Sequence, residues 1–240
     1  MKFIVVDNYD EMSRAAAELM LAAVKENPAL TLGLATGSTP IGMYREIIAA
    51  YERGEVDFSN AKSFNLDEYY PIEKKNEQSY DFFMNDNLFS HINLPKENIH
   101  IPNGEAADPE AETVAYEKAL CENGYTDIQV LGIGQNGHIG FNEPDDFLHA
   151  ETHVTPLTDN TIEANARFFA KKSDVPTQAL TMGMGSIMKS RAILLLASGK
   201  SKVEAIAALR GDEVTPRVPA TFLKLHPNVT VICDKAAFGE

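Results

Sequence analysis

The sequence has no tryptophan, only two cysteines, and too few basic residues to balance its acids. Cys121 and Cys233 share no metal-ligand spacing, and one possible bridge is a poor framework for 240 residues. Both are expected to be reduced and mostly buried. Lys and Arg total 21 against 35 Asp and Glu, a formal net charge of −14. That balance removes any general attraction to nucleic acid or to an anionic membrane. An anionic ligand would have to be held locally, by backbone amides and a few chosen cations. Long apolar runs are also missing. Residues 3–6 are too few for the core of a secretory signal, and residues 192–197 fall far short of a membrane span. A soluble, cytoplasmic protein with neither a nucleic-acid nor a membrane partner is the expectation.

What is present is ordinary globular composition, 44% hydrophobic and 23% charged, with material for one large domain. No repeat, low-complexity tract or linker interrupts it. Short apolar runs at residues 3–6, 30–35, 61–66, 128–133, 179–183, 192–197 and 229–233 read as strands, most of them buried on both faces. Between them lie amphipathic segments. In residues 9–24, Ala16, Leu19, Met20 and Ala23 share a face, and Ile41, Tyr44, Ile47, Ile48 and Tyr51 form a second stripe. The alternation predicts a single α/β domain over residues 1–240. Its sheet would be doubly wound and mostly parallel, Rossmann-like, with helices on both faces and ligands beyond the carboxyl ends of the strands.

Four of those strand ends carry candidate chemistry. The first runs Thr36-Gly37-Ser38-Thr39-Pro40, a small hydroxyl-rich loop with proline where a helix would begin. Free amides and a helix N-terminus there suit a phosphate, although Ser38 or Thr39 could equally serve only as a cap. The second, Phe64-Asn65-Leu66-Asp67-Glu68-Tyr69, ends in an acidic pair. A partly desolvated carboxylate at that place can act as a general base, and a solvated loop acid is the plainer alternative. The third, Gly132-Ile133-Gly134-Gln135-Asn136-Gly137-His138-Ile139-Gly140-Phe141-Asn142-Glu143-Pro144, sets one imidazole in a glycine-rich loop near a carboxylate that could fix its tautomer. It contains a literal dinucleotide fingerprint, but no helical stripe follows the third glycine. The fourth, Ser198-Gly199-Lys200, offers a cation at a strand exit, and Arg167 is another isolated cation. Together these residues suit proton transfer on a small phosphorylated substrate, without metal, redox cofactor or activated Ser or Cys.

Along nearly its whole length the sequence resembles the glucosamine-6-phosphate deaminase family. The resemblance rests on the Thr36–Pro40 loop, the Phe64-Asn65-Leu66-Asp67-Glu68-Tyr69 run and Gly137-His138-Ile139-Gly140-Phe141-Asn142-Glu143-Pro144, in family order. It implies conversion of glucosamine 6-phosphate and water to fructose 6-phosphate and ammonia, with no cofactor. It further implies that His138 opens the sugar ring, supported by Glu143 and Asn136. Asp67 would carry the proton from C2 to C1 through a cis-enolamine, and the ketimine would then hydrolyse. Gly37, Ser38, Thr39, Arg167 and Lys200 would hold the phosphate.

Two departures stand out. Asn136 occupies a position where long members of the family carry Asp, so any carboxylate support for His138 must come from Glu143. Residues 145–155 contain no Arg or Lys, where long hexameric members use such residues to bind an allosteric sugar phosphate. The chain also lacks their longer C-terminal extension. The expectation is an enzyme without that control, a monomer or low-order homo-oligomer, in which residues 144–170 could close as a lid. Two rivals are the related 6-phosphogluconolactonases, which usually have Arg where Tyr69 stands, and a non-catalytic sugar-phosphate effector domain.

Overall fold

A computed structural model of the chain describes residues 1–157, 171 and 175–240. In chain order the described elements are β1 (Lys2–Val6), α1 (Tyr9–Glu26), β2 (Thr31–Leu34), α2 (Ile41–Glu52), β3 (Lys62–Asn65), β4 (Asp67–Tyr70) and α3 (Tyr80–Asn87). There follow β5 (Ile99–His100), α4 (Pro109–Glu122), β6 (Ile128–Leu131), β7 (His153–Pro156), β8 (Gln178–Thr181) and α5 (Met184–Ile187). The chain closes with β9 (Ala192–Ala197), α6 (Val203–Arg210), β10 (Val229–Asp234) and α7 (Lys235–Phe238).

Six of the seven apolar runs, with the two-residue β5, build one parallel sheet in the order β1-β10-β9-β6-β2-β3-β5, flanked by helices. Apolar residues pointing to both faces suit such a covered sheet. β2 is buried at all four positions, and Leu194, Leu195 and Leu196 in β9 are at most 4% exposed. The seventh run departs from the expectation. β8 leaves the parallel sheet and pairs antiparallel with β4 and β7 in a second, three-stranded sheet. That sheet has its own small core of Tyr69, Ile72, Leu157 and Ala179.

Helix α1 begins where Asn8 accepts a hydrogen bond from Glu11 N–H, with Asp10 and Glu11 in the first turn and Lys25 in the last, all favourable to the helix dipole. Its buried stripe is Met12, Ala16, Met20 and Val24, and Leu19 is 43% exposed, so the face is rotated from the one expected. Cys233 is buried in β10, but Cys121 is exposed on α4, a correction to the expectation that both are inside; both are free thiols.

Strands β9, β6, β2 and β3 are consecutive neighbours and parallel. Their carboxyl ends therefore share one edge of the sheet. The four segments singled out above leave from those four ends.

Candidate active site

The loop after β2 is tied down by two tyrosines. Tyr44 donates its hydroxyl to Ala35 O at 2.5 Å. Tyr9 accepts from Gly42 N–H at 2.8 Å and donates to Ser38 O at 3.0 Å. Tyr9 thus does the work of a cap. Pro40 stands at the N-cap with no side-chain bond, so neither Ser38 nor Thr39 is used as one. Gly37 has φ +88°, a left-handed turn that glycine makes without strain. Thr36, Gly37, Ser38 and Thr39 all line one cavity of about 640 Å³.

After β3 the chain switches sheets. Leu66 N–H still donates to Leu34 O, while Leu66 O accepts from Met182 N–H beside β8. Asp67 is the first residue of β4 and lines the cavity, 5% exposed. Burial, reinforced by the neighbouring Glu68 carboxylate, raises its pKa from 3.8 to about 8. Glu68, pointing the other way as alternation along a strand requires, does not line the cavity. It accepts backbone N–H bonds from Tyr69, Tyr80 and Asp81 at 2.8–2.9 Å. Burial still raises it to about 7 against those three donors.

The loop after β6 holds the imidazole. His138 Nδ1 lies 3.2 Å from Glu143 Oε1. Asn136 donates to the other oxygen of Glu143 at 2.8 Å, and its own Oδ1 accepts from His138 N–H at 3.1 Å. Burial pushes the Glu143 carboxyl up, but His138 and Asn136 outweigh it and hold the group below its ordinary value. The glycines here have specific work. A Cβ on Gly134 would lie 2.3 Å from His138 Nδ1, so that glycine makes room for the ring. A Cβ on Gly132 would meet nothing within 4 Å, and that residue lines the cavity. Gly140, at φ +58°, brings its loop against Asp67: a Cβ there would stand 3.2 Å from Asp67 Oδ2. No helix begins anywhere in residues 132–152, which removes the dinucleotide reading.

After β9, Asp234 accepts from the Ser198 hydroxyl at 2.5 Å and from Gly199 N–H at 3.0 Å, fixing the strand exit. Here the sequence reading needs correction. Lys200 is exposed and does not line the cavity, whereas Lys202 is half-buried and does. One turn of 3-10 helix over Lys200–Lys202 carries the chain from one to the other. Arg167 lies outside the described residues, as do residues 158–170 of the segment expected to form a lid. The preceding stretch is anchored: Met184 and Ser186 N–H bond to His149 O and Ala150 O, and Glu117 accepts from Thr152 and Ser186.

Asp67, His138, Glu143, Asn136, the Thr36–Thr39 loop and Lys202 thus meet at one cavity. The family model described as glucosamine-6-phosphate isomerases/6-phosphogluconolactonase matches residues 7–232. The chain belongs to that family. A glucosamine-6-phosphate deaminase of Thermoanaerobacter pseudethanolicus is 55% identical over 237 residues, covering 99% of this chain and 94% of its own. Another, of Clostridioides difficile, is 52% identical over 240 residues, with 100% and 96% covered. A solved monomeric glucosamine-6-phosphate deaminase superposes with a TM-score of 0.95 at 45% identity, covering 100% of this chain and 99% of that one. On the lactonase side of the family, 6-phosphogluconolactonase from Thermotoga maritima shares the fold at a TM-score of 0.76 and 19% identity, over 98% of this chain and 99% of its own. Among the described residues no cluster of His, Cys, Asp and Glu could hold a metal ion, and no helix is long and apolar enough to cross a membrane.

Proposed function

We propose that this protein is a glucosamine-6-phosphate deaminase, converting glucosamine 6-phosphate and water to fructose 6-phosphate and ammonia. The observation that carries the reading is a buried carboxyl group of raised proton affinity, Asp67, on the same cavity as an imidazole backed by a carboxylate. The deaminases 50–55% identical to nearly the whole chain support it.

With Nδ1 facing Glu143, His138 keeps its proton on that nitrogen and leaves Nε2 as an acceptor. Nε2 takes the proton of the anomeric hydroxyl and returns it to the ring oxygen, opening the pyranose. Asp67 then removes the C2 proton of the open-chain amino aldehyde, made acidic by the carbonyl at C1 and the ammonium at C2. Delivering that proton to C1 of the resulting cis-enolamine gives a ketimine. Water adds at C2, the C–N bond breaks, and ammonia leaves. The substrate ammonium favours the charged form of Asp67, so binding prepares the base.

Lys202, rather than Lys200, joins Gly37, Ser38 and Thr39 in holding the phosphate, and Arg167 remains a partner on the strength of the sequence alone. A local cradle of this kind reconciles an anionic substrate with a chain of charge −14. We take residues 1–240 as one catalytic domain needing no cofactor, acting in the cytoplasm as a monomer or low-order oligomer.

The test is ammonia release from glucosamine 6-phosphate by purified protein, with fructose 6-phosphate measured alongside. Equimolar products are expected. Folded protein that binds the sugar phosphate without turnover would favour an effector domain, and hydrolysis of 6-phosphogluconolactone instead would favour the lactonase side of the family.

A further inference from the structure

Glu68 is 1% exposed, and the reaction above makes no use of it. Its Oε1 accepts from Tyr69 and Tyr80 N–H and its Oε2 from Asp81 N–H. Tyr80 and Asp81 are the first two residues of α3, whose N–H groups have no partner inside the helix. Ser79 already caps the next one, donated by Phe82 at 3.0 Å. A carboxylate offers the three N–H donors to Glu68 two acceptor oxygens, where a Gln amide has one, and its charge suits a helix N-terminus, but burying it is costly. Among the described residues no cation pairs with Glu68, so its charge serves something other than an ion pair.

Two neighbours supply that something. Asp67 is adjacent in β4, on the opposite face. Tyr80 lines the cavity, packs on Tyr69 at 4.7 Å between ring centroids, stacks with Phe141 at 6.2 Å, and its hydroxyl interacts with Thr36 of the first loop. We infer that Glu68 is a positioning residue with two outputs, holding Tyr80 in the cavity wall through the first turn of α3 and strengthening Asp67 as a base through its charge.

The inference deepens the deaminase reading and rests on Asp67 being its base. The groups facing Glu68 are Asp67 and Tyr69 on its own strand and Tyr80 and Asp81 on α3, and those facing Asp67 are Glu68, Tyr80 and Tyr116 of α4, with His138, Glu143 and Lys202 on the same cavity. None of the groups facing Glu68 is a cation, and both variants below leave His138, Glu143 and Lys202 unchanged.

The two outputs separate in two variants of the full chain. Glu68→Gln removes the charge and one of the two acceptor oxygens, so KM should rise and, in addition, the acid limb of kcat/KM for ammonia release should move to lower pH. Glu68→Asp keeps the charge but is too short to reach α3. Its acid limb should stay at the parent position while KM rises several-fold. An acid limb that stays put in Glu68→Gln, or moves equally in both variants, would overturn the inference. Should Glu68→Gln fail to fold, carboxyl 13C titration of the parent decides. Each of the two carboxyl groups should show a second inflection where the other titrates, and independent single steps would overturn the pairing. If the parent released no ammonia, the deaminase reading would fall while the NMR titration still tested the carboxylate pairing.

Discussion

Asp67 is 5% exposed with a second carboxylate beside it, and if it is the base proposed above, its proton affinity sets activity as well as stability. A base with a pKa of about 8 in the free protein makes kcat/KM rise with pH towards a plateau above that value. Replacing it by Asn should lower kcat by about 10²–10⁴-fold. The same substitution should stabilise the fold. The native carboxyl binds its proton more tightly than the unfolded one, so its contribution to stability is fully present below pH 3.8 and is lost as pH rises through about 8. Thermal melts of parent and Asp67→Asn should therefore coincide near pH 4 and separate at pH 8–9, with the variant higher by on the order of a few kcal/mol. Gly134→Ala is a second residue-scale test. Its Cβ would collide with His138 Nδ1, so kcat should fall while binding of inorganic phosphate is kept. For the cations, Lys202→Met should raise KM about tenfold or more, the effect of losing one charge-assisted phosphate contact. Lys200→Met should leave KM near the parent value.

At the scale of elements, Glu117 joins α4 to the chain on either side of the small sheet, accepting from the Thr152 N–H and hydroxyl and the Ser186 hydroxyl. Glu117→Leu would leave the two Thr152 donors unpaired and should cost about 1–3 kcal/mol in denaturant melts. Elements with long, two-faced apolar runs were legible in the sequence, and residues 192–197 match β9 end to end. β5 has two residues, and β4 (Asp-Glu-Tyr-Tyr) and β7 (His-Val-Thr-Pro) are too polar to look like strands. Their strand form comes from pairing with β3 or β8, which no local pattern encodes. β8 carries the same apolar signature as its parallel counterparts, so nothing in its sequence announces the second sheet. Asp67, His138 and Glu143, which the structure brings to one cavity, stood out in the sequence because unusual residue types follow buried strands. Lys202 was not, since a single 3-10 turn decides which of two lysines faces the cavity. Tyr80 and the task of Glu68 depend on how α3 docks, beyond the reach of residue spacing.

For the whole molecule, charge and assembly matter most. On the proposed function, a protein of net charge −14 must repel its anionic substrate at long range while binding it at short range. Light scattering should give the mass of one chain, 26.4 kDa, or a small multiple of it, as the proposed monomer or low-order oligomer requires. A hexamer would contradict that expectation. The most direct test of the chemistry follows the proton itself. Glucosamine 6-phosphate deuterated at C2 is turned over by the parent and by Asp67→Asn, with ammonia and the C1 label of fructose 6-phosphate read together. The parent should release ammonia and carry deuterium from C2 to C1, and the variant should do neither. Undiminished ammonia release by folded Asp67→Asn would show that another group moves the proton.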